Sequence, residues 1–134
     1  MTRPSPTETA TTAGVGALRA LRVVATLSVL FIIVQGVTAG EILSRSKVAV
    51  SLHYDGAFVV HALTALTAIA AFLVMRQRGG PWWPTVVSLV IFVVTFVQAA
   101  VGEAGILSVH VPLAMVLLVG AVLVMGWSFT RTQH

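Results

Sequence analysis

The chain has 134 residues, 57% hydrophobic and 9% charged, with eight Lys/Arg against four Asp/Glu and no cysteine. Soluble domains carry about 25% charged residues, so this chain has too little polar surface to face water and lipid must cover most of it. The missing cysteines exclude disulfides, thiolate metal sites and cysteine nucleophiles; the basic excess sits at the ends of apolar runs, where it reads as a topology signal and not as a nucleic-acid surface.

Residues 1–17 are rich in Thr, Pro and Gly and show no apolar period, which predicts a disordered tail ahead of one transmembrane domain over 18–130. Four apolar runs follow, at about 21–39, 57–75, 84–101 and 107–127. Each is close to the ~20 residues a spanning helix needs. The first is longer than the roughly 7–15 apolar residues of a signal peptide, so it counts as a helix. The prediction is an all-α integral membrane protein, a four-helix bundle with both termini cytoplasmic. That topology puts Arg3, Arg19, Arg22, Arg76, Arg78 and Arg131 inside, against Arg45 and Lys47 outside, six to two. The positive-inside rule favours it, and Trp82, Trp83 and Trp127 fall at the same inner boundary. The outer side then carries Glu41, Asp55, Glu103 and a longer loop, 42–55, with room for a short interfacial helix.

The chain reads as two tandem helical hairpins. Val34-Gln35-Gly36, with Gly40-Glu41 after it, resembles Val97-Gln98-Ala99, with Gly102-Glu103 after it. Each is followed by a Val-His-x-x-x-Ala helix start, Val60-His61…Ala65 and Val109-His110…Ala114, the first after a loop longer by roughly a dozen residues. Parallel duplication is a known plan for membrane proteins.

His61 and His110 carry the chemistry in this reading. Both fall a few residues inside the outer ends of helices two and four, hence at matched depth. An ionisable residue in a membrane helix marks a functional site, and bundle cores hold metals and cofactors. Two imidazoles do not make a zinc site, which needs three or four protein ligands. They do suit haem iron, whose porphyrin supplies the other four nitrogens. Ala65 and Ala114, each at i+4 from a histidine, leave space beside it for a flat macrocycle. Gln35 and Gln98 need partners within the protein and suit the hydrogen-bonding role behind a ligating histidine. Arg45 and Lys47, the outer cations, suit haem propionates. His53 in the outer loop and His134 at the C-terminus read as solvated, and Gly36-x-x-x-Gly40 as a close helix contact. The plainer reading of each histidine is an interfacial anchor.

These residues resemble one four-helix half of haem A synthase. The closer stretch is Phe96-Val97-Gln98-Ala99-Ala100-Val101-Gly102 leading to His110-Val111-Pro112-Leu113-Ala114. The resemblance, over most of residues 20–128, implies one haem b between helices two and four near the outer face, held by His61 and His110. The chain is also similar to small four-helix bacterial membrane proteins, which implies a bacterial plasma membrane. It departs from the synthase in having four helices and not eight, in carrying Phe58 where a glutamate precedes the first ligand, and in lacking the cysteine-bearing outer loop. Haem binding therefore carries over and oxidation of a haem methyl group does not; no catalytic residue is identified.

The expected function is a small bis-histidine cytochrome for electron transfer or redox sensing, with quinol or a redox protein as partner and a homo-oligomer as an open alternative. Its rivals are a cofactor-free accessory subunit or assembly factor and, behind that, a small transporter; helix one has no carboxylate before Glu41 for an exporter to use.

Overall fold

A computed structural model describes the backbone of residues 6–132 and the side chains from Gly14 onward. It is an all-α four-helix bundle: α1 spans Pro6–Leu43, α2 Lys47–Arg78, α3 Trp83–Glu103 and α4 Leu107–Thr130. Each helix contains a span long and apolar enough to cross a membrane. The helices form a ring in which α1 packs on α2 and α4, and α3 on α2 and α4, so α2 and α4 face each other diagonally. One end of the bundle carries the described termini and the α2–α3 turn. The other, the hairpin end, carries the α1–α2 and α3–α4 turns.

Two boundaries differ from the sequence expectation. The stretch from Pro6 to Ala17, expected as disordered tail, is the first part of α1; residues 1–5 lie outside the described residues. Helix two begins at Lys47 and runs without a break through the expected outer loop. Its start is fixed locally. Ser46 caps it, its side chain accepting from the Ala49 amide at 3.3 Å. Ser51, His53, Asp55 and Gly56 dilute the hydropathy of this turn, which hides the helix from an apolar-run reading.

The two hairpin turns are built alike. In the first, the Ser46 amide donates to the Glu41 carbonyl and the Arg45 amide to that of Ile42. In the second, Ile106 donates to Val101 and Gly105 to Gly102. This is the Schellman closure, which needs a left-handed residue after the helix. Gly105 fills that position at φ 71° without cost, whereas Arg45 fills it at φ 68° with a side chain. A non-glycine residue there costs about 1–2 kcal/mol. Arg45→Gly should therefore stabilise the protein by about 1 kcal/mol in a chemical-denaturation series in detergent; a loss of stability would show that the arginine side chain holds the turn.

Lipid tails are as apolar as leucine, so these helices associate by close packing and polar bonds. The packed core lies toward the terminal end and the middle. Leu18, Leu21, Ala25, Ala70, Ala71, Val74 and Val124 form one cluster, and Val29, Ile91, Leu117 and Ala121 a second. Alanine at so many contacts lets the backbones approach. Ser28 and Thr67 add a buried hydroxyl–hydroxyl bond of 3.0 Å between α1 and α2. At the terminal end, Arg22 donates to the carbonyls of Ser128 and Arg131, and Arg78 to that of Thr132. These bonds satisfy carbonyls at and beyond the end of α4 that the helix leaves open. Gly36 and Gly40, expected at a close helix contact, are exposed, and a Cβ on either would meet nothing within 4 Å.

The hairpin end is different. After Thr95, α3 buries no residue, and neither does α4 before Leu117. Past Val29, α1 buries only Thr38, and before Val60, α2 buries only Ala49. Fully buried side chains thus concentrate in the terminal half of the bundle and are few at the hairpin end.

Candidate functional site

Heptad spacing sets which side chains point along the bundle axis. On α2, His53 leads the line Val60, Thr67, Val74, at seven-residue steps, all three buried. On α4, His110 leads Leu117 and Val124, again buried. Gln35 continues the buried pair Leu21 and Ser28 on α1, and Gln98 continues Pro84 and Ile91 on α3. Four polar residues, one per helix, therefore occupy the axial seams of the hairpin end.

The bonds among them repeat in the two hairpins. His53 Nδ1 lies 3.2 Å from the Gln35 carbonyl and 2.9 Å from Thr38 Oγ1. His110 Nδ1 lies 3.0 Å from the Gln98 carbonyl, while Gln98 Nε2 donates back to the His110 carbonyl at 2.7 Å. A carbonyl only accepts, so Nδ1 carries the proton in each neutral ring and Nε2 keeps a free lone pair. Glycines make room for both arrangements. A Cβ on Gly56 would collide with the Gln35 amide, and one on Gly102 would fall 2.7 Å from His110 Cε1.

The rings of His53 and His110 meet across the diagonal, with centroids 6.3 Å apart and planes inclined at 59°. The expectation that His61 faces His110 is thus replaced. His61 sits eight residues further along α2, about 12 Å deeper at 1.5 Å per residue. Its Nδ1 bonds the Ala57 carbonyl at 2.5 Å, and its ring packs edge-on against Phe96 of α3 with centroids 4.3 Å apart. The matched depth of His61 and His110 rested on a long loop, and that loop is helix. His53, expected to be solvated, is half-buried.

The two hairpins correspond in a register other than the one expected. Gln35 and Gln98 are equivalent, as are His53 and His110. From Gln35 to the left-handed Arg45 is ten residues, from Gln98 to Gly105 seven; from these to His53 and His110 is eight and five. The first hairpin is longer by three residues in each arm. Equal additions to both arms leave the pairing below them in register. A signal for this was present in the sequence: Ser51-Leu52-His53-x-x-x-Ala57 matches Ser108-Val109-His110-x-x-x-Ala114.

The remaining candidates divide between the two places. Ala114 lies half-buried one turn below His110 on the axial face, while Ala65 stands in the same relation to His61. Arg45 is exposed in the α1–α2 turn at the hairpin end.

The donor set can be tested against a metal. Among the described residues no group of three or more His, Asp or Glu is gathered, so a site built from protein ligands alone does not fit. Two imidazoles with free Nε2 atoms and anchored Nδ1–H groups fit a metal that brings its other ligands with it. A ligating histidine donates its second ring nitrogen to a backbone carbonyl or carboxylate in this way. His53 and His110, with ring centroids 6.3 Å apart, are the residues that would hold such a metal. Two further polar atoms at this end, Gln35 Nε2 and Gln98 Oε1, are buried without a partner. Buried polar groups are paired in more than about 90% of cases, so the site as it stands has polar demand left over. The chain matches no protein-family model, no curated protein and no solved structure.

Proposed function

We propose that this chain is a small membrane haem protein that binds one haem b through His53 and His110 at the hairpin end, and that it serves electron transfer or redox sensing. The observation that carries this is the His53–His110 pair: two imidazoles from diagonal helices with ring centroids 6.3 Å apart, each tied to the backbone through Nδ1. The two glutamine atoms without a partner among the described residues support it. The resemblance to one half of haem A synthase points to the same cofactor. Bound haem would supply a one-electron iron couple; the protein's part is to fix both rings, exclude water along the bundle and tune the couple through the Nδ1 bonds.

Arg19, Arg22, Arg76, Arg78 and Arg131 gather at the terminal end, against Arg45 and Lys47 at the hairpin end. This asymmetry supports a bacterial plasma membrane with the termini in the cytoplasm and the histidines near the outer face. Arg45 and Lys47 are then the cations available to haem propionates. A second reading has its own observation: the reciprocal Gln98–His110 bonds would also serve as a clip in a cofactor-free accessory subunit.

Purified protein, oxidised and then reduced, decides between them by its visible spectrum. The haem reading expects a six-coordinate Soret band and sharp reduced α and β bands, at one haem per chain. Folded protein from haem-sufficient cells that stays colourless, and takes up no added haemin, would establish the clip instead.

A further inference from the structure

We infer that His61 is the head-group contact of a lateral site for a membrane-dissolved hydroquinone, between α2 and α3. His61 stands inside a membrane span yet has no counterpart in the other hairpin. With His53 aligned on His110, its equivalent is Leu118, which packs on the second core cluster. The duplicated architecture therefore does not need an imidazole here. An ionisable side chain at membrane depth carries a standing cost, and the His53–His110 pair does not use it.

Its chemistry is one-sided. The Ala57 carbonyl accepts from Nδ1–H, so the neutral ring presents Nε2 as an acceptor, to which none of the described residues donates. The natural partner is a hydroxyl donor that reaches the site through lipid. The surroundings select an aromatic one. Phe96 packs edge-on against the imidazole and is itself 52% exposed, Phe92 packs against Phe96, and Phe58, one turn nearer the hairpin end, is 65% exposed. Ala65, one turn deeper, leaves width beside the imidazole. Aromatic rings favour edge-to-face or offset contacts, and a hydroquinone offers both a ring for Phe96 and an O–H for Nε2. The oxidised quinone offers only carbonyl acceptors and is disfavoured against this tautomer.

Binding at His61 does not require haem, so the site stands apart from the proposed haem reading. The test is ring-15N histidine NMR on the full chain in lipid nanodiscs with the iron kept reduced, adding a decyl-substituted benzohydroquinone. A saturable shift of His61 Nε2 is expected. His61→Phe, which keeps the volume, should weaken binding at least tenfold, and so should replacing the probe by its oxidised form in a parallel titration without reductant. A saturating probe that leaves His61 unmoved, equal affinity for His61→Phe, or equal affinity for both redox forms would overturn the site, the last two indicating simple partition against the aromatic side chains. Protein that takes up no added haemin yet shows the shift removes the haem reading and keeps this one; haem-bearing protein without the shift does the reverse.

Discussion

On the proposed haem reading, His53→Ala and His110→Ala should each abolish the Soret band of the purified protein, whereas His61→Ala should leave its position and stoichiometry unchanged. The three histidines have similar partial burial, so exposure does not separate them; their bonds do. His53 and His110 direct Nδ1 to the carbonyl of a glutamine on the preceding helix and bring their rings together across the diagonal. His61 bonds within its own helix and faces a phenylalanine. Losing the hydrogen-bonding partner of a ligating histidine costs roughly 10–100-fold in metal affinity. Removing the ligand itself exceeds that, so each axial variant should lose haem during purification. Methionine at either position, a weaker axial ligand, should return a six-coordinate but shifted spectrum. If His61→Ala bleached the protein while His53→Ala kept its band, the register of the duplication drawn from the hydrogen bonds would be wrong.

That register shows what an apolar-run reading can and cannot see. The four spans were legible because each is a long run of Val, Leu, Ile and Ala, and that signal survives errors of several residues at either end. The glutamines were legible for a similar reason: an amide inside such a run has no neighbour like it. His53 was not, because the turn of α2 that carries it also holds Ser51, Asp55 and Gly56. Averaged hydropathy falls there as it would in a loop. Two local signals outweigh the average. Ser46 is a cap placed before a helix, and Ser-x-His-x-x-x-Ala recurs at His110. A repeat is better aligned on its polar residues than on its apolar ones, since in a membrane helix Val, Leu and Ala interchange freely while a buried imidazole does not. The early start of α1 at Pro6 had a local signal that composition outweighed: Ser5-Pro6-Thr7-Glu8 has the Ser-x-x-Glu pattern with proline at the first helical position, but the Thr and Gly that follow are weak helix formers.

Gly102→Ala should do measurable damage where Gly36→Ala does none, although both glycines lie inside helices. Replacing glycine by alanine in an exposed helix interior stabilises by about 0.5–1 kcal/mol through backbone entropy. Gly36 meets that condition: it is exposed, and a Cβ there has nothing within 4 Å. At Gly102 the same methyl would stand 2.7 Å from His110 Cε1 and 2.8 Å from Nδ1. The atoms it meets belong to a planar ring held at both ends, by the Gln98 carbonyl at Nδ1 and by α4 at Cβ, so the ring moves only by giving up its bond. Overpacking of this kind costs about 1–3 kcal/mol, which outweighs the entropic gain. Thermal unfolding in detergent should therefore rank Gly36→Ala above wild type and Gly102→Ala below it. The spectrum adds an independent reading: a displaced His110 no longer faces His53, so on the proposed haem reading the Soret absorbance per chain should fall. A Gly102→Ala protein as stable as Gly36→Ala, with an unchanged spectrum, would mean that His110 does not pack on α3, and the Gln98–His110 bond on which the axial assignment stands would fall with it.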